Sequence, residues 1–124
     1  MISRAGTTGQ RPEGCWYTAT MKVVLPPEVQ HDGIRTLRSL LTGLRASKDC
    51  SDCHLFEDID EEGAFQLIER WSSLSALHRH LRSDSFRRLL AVMDLSAKTP
   101  EFRVETVTHT EGVDLLALIR GLDE

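Results

Sequence analysis

Two short strand-like segments near the middle of the chain constrain the fold more than any other feature. The segments are CHLFEDI (residues 53–59) and AFQLIERW (residues 64–71), and only DEEG separates them. The glycine of this linker supplies the backbone freedom that a hairpin turn needs. The two segments are therefore predicted to be antiparallel neighbours in one sheet.

The flanking segments complete a regular order of elements. WYTATMKVVL (16–25) is rich in aromatic and β-branched residues, and the prolines that follow end it, because proline cannot donate to a sheet ladder. Apolar residues at spacings of three and four predict a helix over residues 27–46. Ser73 is expected to cap a second helical region with a break near Ser83, and EFRVETVTH (101–109) alternates as a fourth strand.

The resulting order, β-α-β-β-α-β, predicts an α+β, ferredoxin-like fold: one four-stranded antiparallel sheet with helices on one face. Strands one and four carry apolar side chains at both odd and even positions, and therefore on both faces of the sheet. The second face of the sheet thus also needs a cover. A second copy of the chain is the simplest cover, and we therefore expect a two-fold homodimer.

The length of 124 residues suits one domain. Residues 1–14 combine Gly, Thr, Arg and Pro with little to bury, which predicts a flexible tail. The domain is expected over residues 15–111, followed by a short C-terminal helix in residues 112–124.

Charge and hydropathy exclude several classes of partner. A formal net charge of −4 gives no signal for binding a polyanion, so nucleic acid is not expected. No apolar run approaches the roughly 18 residues of a membrane span, and the N-terminal segment lacks the apolar core of a signal peptide. We therefore expect a cytoplasmic protein with no membrane partner.

Three cysteines, at positions 15, 50 and 53, cannot all pair within one chain. Zinc at Cys50-x-x-Cys53 would need two further ligands, and no second pair stands at metal spacing, so no metal is expected. Residues three apart on a strand point to opposite faces, and the two thiols would therefore converge only if Cys50 were still in the loop. Packing of small residues, a regulatory disulfide and a metal site remain alternative interpretations.

The segments GAFQLIERWSSLSALHRHLRSDSF (63–86), CSDCHLFEDID (50–60) and PEFRVETV (100–107) together resemble a known family. The resemblance, over about residues 16–109, is to the antibiotic biosynthesis monooxygenase domain, a branch of the dimeric α/β-barrel superfamily similar to quinol monooxygenases. Its most specific part is Glu69-x-Trp71 followed by Ala76-Leu77-x-x-His80-Leu81. The resemblance implies that two protomers pair into a dimeric α/β barrel.

The resemblance also implies a chemistry. In oxidising members, a flat aromatic molecule or quinol binds between sheet and helices and reacts with dioxygen without flavin or metal, so no cofactor is expected. Such a reaction needs a dry pocket and a base. Trp71 and His80 are the implied catalytic residues, with His80 taking a phenolic proton. Phe56 is expected to line the pocket beside Trp71, and Glu69 or Arg103 to orient the ring.

Structural interpretations stand beside the catalytic ones. Trp71 shares a strand face with Glu69, where a tryptophan commonly packs in a core or a dimer contact. Helical geometry predicts that His78 belongs to the buried stripe and His80 to its flank. Two cross-strand charge pairs are expected at a rim, Glu69 with Arg70 and Arg103 with Glu105.

Two other functions fit the same resemblance. One is a non-catalytic ligand-binding or stress-associated protein. The other is a haem-degrading oxygenase, but such relatives rely on an asparagine in or near the first strand, and this chain contains no asparagine. Thr18 or Thr20 would offer only a hydroxyl in its place.

Overall fold

The computed structural model describes residues 15–121, and the predicted N-terminal tail lies outside them. The elements follow in the order β1 (Trp16–Val24), α1 (Pro27–Ala46), β2 (Cys50–Glu57), β3 (Ala64–Trp71), α2 (Leu74–Leu81), α3 (Asp84–Met93), β4 (Glu101–Val107) and α4 (Val113–Arg120). The strands form one antiparallel sheet in the order β2-β3-β1-β4. The ferredoxin-like α+β fold is confirmed, with the second helical region divided into α2 and α3.

The two faces of the sheet differ in what covers them. The helix-side face carries the buried Ala19, Met21 and Val23 of β1, and the core against it comes from α1, α2 and α3. The open face, which carries the alternate side chains, is defined by Trp16, Thr18, Thr20, His54, Phe56, Gln66, Ile68, Arg70, Arg103, Glu105 and Val107. Any site between sheet and helices must therefore be lined by side chains of the helix-side face.

Serine caps fix the start of both middle helices. The Ser73 hydroxyl accepts a hydrogen bond from the backbone N–H of Ala76 at 3.1 Å, as the sequence predicted. The Ser83 hydroxyl accepts from the N–H of Phe86 at 3.2 Å and donates to the carbonyl of His80 at 2.7 Å. The break between α2 and α3 is thus a capped junction, and it holds His80 at the last turn of α2.

The C-terminal helix is largely apolar and exposed. Its side chains Val113, Leu116, Leu118 and Ile119 are each more than half exposed. Gly121 follows in the left-handed conformation that commonly ends a helix. Within residues 15–121, no helix is both long and apolar enough to cross a membrane.

We expect Gly63→Ala to destabilise the protein by about 1 to 3 kcal/mol. Gly63 has a φ of 81°, and an added Cβ would lie 2.5 Å from the carbonyl oxygen of Leu25. The N–H of Leu25 in turn donates to the Gly63 carbonyl at 2.8 Å, so the two segments cannot separate freely. Denaturation in urea measures the change.

Gly43→Ala is the matched control. Gly43 lies in α1, and an added Cβ meets no atom within 4 Å. This substitution is expected to stabilise the protein by about 0.5 to 1 kcal/mol, because alanine loses less backbone entropy than glycine in a helix. Equal effects at the two positions would contradict the strain assigned to Gly63.

Candidate active site

The end of β3 and the last turn of α2 bring together Glu69, Trp71 and His80. Glu69 and Trp71 are two apart on a strand and share its helix-side face, as the alternation predicted. The imidazole of His80 stacks on the indole of Trp71 with ring centroids 4.7 Å apart and planes 26° apart. Phe86, the first buried residue of α3, also contacts the imidazole in an edge-on arrangement, with ring centroids 5.5 Å apart. Two aromatic rings therefore hold the imidazole in place.

Glu69 is a buried carboxylate with a defined partner. It is 3% exposed, and its Oε1 accepts a hydrogen bond from Trp71 Nε1–H at 2.9 Å. A buried charge is costly unless it is paired and hydrogen-bonded, so this bond stabilises the buried carboxylate. It also fixes the carboxylate relative to the indole. The expected Glu69–Arg70 pair is wrong: Arg70 has the opposite parity and lies over the Trp16 ring on the open face.

His80 presents an unusual buried nitrogen. Only 9% of its side chain is exposed, and Nε2 lies 3.3 Å from Glu69 Oε1 without the alignment of a hydrogen bond. Across residues 15–121 it is the only buried side-chain nitrogen or oxygen without a hydrogen-bond partner. Such an atom needs an explanation, because buried polar groups are nearly always satisfied.

The burial of the two α2 histidines is the reverse of the prediction. His78 was expected in the buried stripe, but it is exposed, whereas His80 is largely enclosed. The reason is the rotational phase of the helix. Ala76 and Leu77 form its inward face, whereas Leu74 is 42% exposed.

A cleft of about 250 Å³ opens beside the Trp71 and His80 rings. It lies between the C-terminal half of α1 and α2 and is lined by Leu40, Gly43, Leu44, Ser47, Asp49, Trp71, Ala76, Arg79, His80, Ser83 and Ser85. Arg79 Nη2 and Asp49 Oδ2 form an ion pair at 3.4 Å, and both side chains are at least half exposed. The cleft therefore combines aromatic and aliphatic walls with a charged, solvent-facing border.

Three of the predicted site residues do not line this cleft: the buried Glu69, which was expected to orient a ring, and Phe56 and Arg103 on the open face. Phe56 lies on the open face, where it is 53% exposed and its ring centroid is 5.9 Å from that of His54. Arg103 also lies on the open face, where it makes an ion pair with Glu105 at 3.4 Å. The partners are the expected ones, but the pair lies along β4 and is not cross-strand. The parities of Phe56 and Arg103 oppose that of Trp71, so within one chain neither residue can touch a molecule bound beside His80.

The first strand offers different residues from those that the sequence suggested. Thr18 and Thr20 face away from the cleft, and neither can replace an asparagine there. Tyr17 is paired with Trp71 across the β1–β3 ladder and packs against the core. A hydrogen bond with Cys15 raises the pKa of the Tyr17 phenol, with burial adding to the effect. Only the strand register could have identified Tyr17 as the neighbour of Trp71.

A register shift in β2 changes the positions of two cysteines. Cys50 is paired with Trp71, and Asp52 with the adjacent Arg70, so one extra residue is accommodated between them. Both Cys50 and Cys53 consequently belong to the buried core on the helix-side face. The expectation that they converge only with Cys50 in a loop is therefore wrong. In residues 15–121, no group of three or more His, Cys, Asp or Glu is placed to hold a metal ion.

The fold and the buried Glu69–Trp71–His80 cluster define a small ferredoxin-like α+β protein with a cleft between α1 and α2. The sequence model of the antibiotic biosynthesis monooxygenase family matches residues 17–92, more than half of the chain, and the chain belongs to this family. No curated protein is significantly similar to it in sequence.

Solved structures show the same fold. A structure described as an antibiotic biosynthesis monooxygenase is 21% identical, with a TM-score of 0.65 over 77% of this chain and 99% of its own. A conserved protein from Methanosarcina mazei Go1 is 18% identical, with a TM-score of 0.68 over 74% and 92%. A Mycobacterium tuberculosis protein is 21% identical, with a TM-score of 0.65 over 78% and 97%. At these identities the likeness concerns the fold alone.

Proposed function

We propose that this protein is a cofactor-independent monooxygenase that acts on a small phenol or quinol bound in the cleft beside Trp71. One observation carries the proposal: His80, stacked on Trp71, borders the cleft while its buried Nε2 faces the Glu69 carboxylate without a hydrogen bond. An imidazole enclosed by aromatic rings and backed by a carboxylate is an arrangement suited to a general base.

The carboxylate selects the tautomer of the base. With Nε2 facing Glu69 Oε1 at 3.3 Å, we assign the neutral imidazole's hydrogen to Nε2, which leaves the lone pair on Nδ1. Because Nε2 is buried, a ligand in the cleft meets the ring through its other edge. A proton taken up at Nδ1 gives an imidazolium whose charge the nearby carboxylate stabilises, as in other carboxylate–histidine pairs.

The proposed reaction balances without another reductant. His80 takes the phenolic proton, and the electron-rich anion reacts with dioxygen at a ring carbon, where a C–O bond forms. The O–O bond then breaks, one oxygen atom stays on the ring, and the other leaves as water. A quinol becomes a hydroxyquinone in this way, and the substrate supplies all four electrons that dioxygen accepts. The His80 proton leaves with the water, which restores the base.

The cleft sets the size of the substrate. Its 250 Å³ lies just below the roughly 300 to 1,000 Å³ typical of sites for drug-sized ligands, which favours a molecule of few rings. Trp71 and Leu44 offer flat and aliphatic contacts. Arg79 and Ser47 offer polar groups to oxygen substituents at the border. These features agree with a compact aromatic ring that carries hydroxyl groups.

Isotope labelling tests the proposal. The purified protein, given a reduced quinone and ¹⁸O₂, is expected to consume oxygen and to place one labelled atom in the product and one in water. Turnover should persist after dialysis against a chelator and without added flavin. Binding of the quinol without turnover would contradict the proposal and favour a ligand-binding role.

We further propose that the open face pairs with that of a second copy, which would give the dimeric barrel of the family's fold. On this face Trp16, Ile68, Val107 and Phe56 are apolar, and helices α1 to α3 all pack on the other side of the sheet. Phe56 is more than half exposed in the single chain. Burial of this surface stabilises association by roughly 25 cal/mol per Å² before the entropic cost of binding.

Ile68→Lys is expected to convert the dimer to a monomer, because it places a charge in the centre of the proposed contact. Sedimentation velocity measures the change as a halved molecular mass. Ile59→Lys is the matched control, since Ile59 lies between β2 and β3 and is 98% exposed. A wild-type protein that sediments as a monomer at micromolar concentration would contradict the proposed pairing.

A further inference from the structure

Cys50 and Cys53 are placed side by side by a local irregularity of β2. In a regular strand, residues three apart face opposite sides. Here the register passes from Cys50 opposite Trp71 to Asp52 opposite Arg70, so Ser51 is the extra residue of a bulge. Both thiols therefore point into the core, and they are 7% and 2% exposed.

Hydrogen bonds hold the bulge from both sides. The guanidinium of Arg45, near the end of α1, donates to the Cys53 carbonyl from Nε at 3.1 Å and from Nη2 at 3.0 Å. The Ser51 hydroxyl donates to the Arg70 carbonyl on β3 at 3.2 Å, and the Cys50 thiol donates to the Asp52 carbonyl at 3.3 Å. The backbone around the two thiols is thus fixed while the thiols themselves are free cysteines.

The two thiols are chemically unequal. A hydrogen bond with the Cys53 thiol lowers the pKa of Cys50, against the opposing effect of burial. The same contact, together with burial, raises the pKa of Cys53. Cys50 is therefore the more nucleophilic partner, and it is also the more exposed of the two.

We propose that Cys50 and Cys53 are a redox-active pair that a hydroperoxide converts to an intramolecular disulfide next to the Trp71 and Glu69 side chains. The strand register places the two cysteines next to the candidate active site, because Cys50 is paired with Trp71 and Cys53 with Glu69. Closing the bond moves the thiols at the bulge, and the indole beside them reports that movement. The proposal does not depend on the oxygenase reaction.

The oxidation balances in two steps. The Cys50 thiolate attacks the terminal oxygen of the hydroperoxide, the O–O bond breaks, and an alcohol, or water from hydrogen peroxide, leaves together with a sulfenic acid on Cys50. The Cys53 sulfur then attacks the Cys50 sulfur, the S–S bond forms, and the hydroxyl group departs as water with the Cys53 proton. The sulfurs lose two electrons and the peroxide gains them.

Thiol counting after peroxide treatment tests the pair. The full chain is treated with hydrogen peroxide, quenched, denatured and alkylated. Cys15, the third cysteine, serves as an internal reference. One alkylated thiol of three is expected, with a peptide spanning Cys50 and Cys53 that is lighter by two hydrogen atoms. A dithiol reductant should restore all three.

Variants and fluorescence separate the pair from general oxidation. Cys53→Ala is expected to leave a sulfenic acid on Cys50 that dimedone traps, whereas Cys50→Ala should leave Cys53 reduced. In a Trp16→Phe background Trp71 is the only tryptophan, and its emission, excited selectively over that of tyrosine, should fall on oxidation and recover on reduction. Three alkylatable thiols after peroxide, or an oxidised Cys50 beside a free Cys53 in the wild type, would overturn the proposal.

Discussion

His80→Gln is expected to lower oxygen uptake with a reduced quinone by about 10²- to 10⁴-fold, the usual contribution of a general base. Glutamine fills similar space and retains hydrogen-bonding groups, but its amide cannot accept a proton at neutral pH. The loss should fall mainly on kcat, because stacking on Trp71 and the walls of the cleft still bind the ring. An oxygen electrode measures the rate after subtraction of the spontaneous oxidation of the quinol.

His78→Gln is the matched control for this substitution. His78 lies two residues earlier on the same helix and is exposed, so its replacement changes the chemistry of the surface alone. Both variants should show the same helical content, and the His78 variant should keep the wild-type rate. Equal rates in the wild type and the His80→Gln protein would remove His80 from the mechanism.

The fold could be predicted largely because its signals are local. The segment from Pro27 to Ala46 has one uninterrupted amphipathic helical pattern, and the structure has a helix with those bounds. Ala64 to Trp71 follows a turn glycine whose positive φ the hairpin requires, and it too is a strand with the predicted bounds. Because the hydrophobic period, the turn residues and the helix caps agree for each element, few alternative topologies remain.

The site could be predicted only in part, because it depends on which face each strand presents. Glu69 and Trp71 lie on the same strand, so alternation alone placed them together. Phe56 and Arg103 lie on other strands, and a shift of one residue in pairing moves every side chain of a strand to the other face. The bulge after Cys50 causes such a shift, and nothing in a single sequence shows where the extra residue lies.

The outer wall of the cleft depends on contacts distant in sequence. Gly43, Ser47 and Asp49 lie before the segment that carries the family resemblance most specifically, yet they face Arg79 and His80 across the cleft. The exposure of His78 has the same origin, since packing against neighbouring elements decides the phase of α2. Helical spacing predicts which residues share a face, but it does not predict which face turns inward.

Trp71→Phe is expected to lower the free energy of unfolding by about 1 to 3 kcal/mol through the loss of one hydrogen bond, in addition to the smaller ring. Phenylalanine keeps an aromatic surface for His80 but has no donor for Glu69 Oε1, which Trp71 Nε1 holds at 2.9 Å in the core. The carboxylate would then be buried without that partner. Urea denaturation gives the free energy of unfolding.

A double-mutant cycle with Glu69→Gln isolates the hydrogen bond from the loss of ring area. If the indole stabilises the carboxylate, Trp71→Phe should cost less in the Glu69→Gln background, because a neutral amide is less expensive to leave unpaired in a core. Equal costs in both backgrounds would show that the indole acts by packing alone. The same cycle measured on oxygen uptake is expected to show coupling, since the Trp71–Glu69 bond fixes the carboxylate oxygen that faces His80 Nε2.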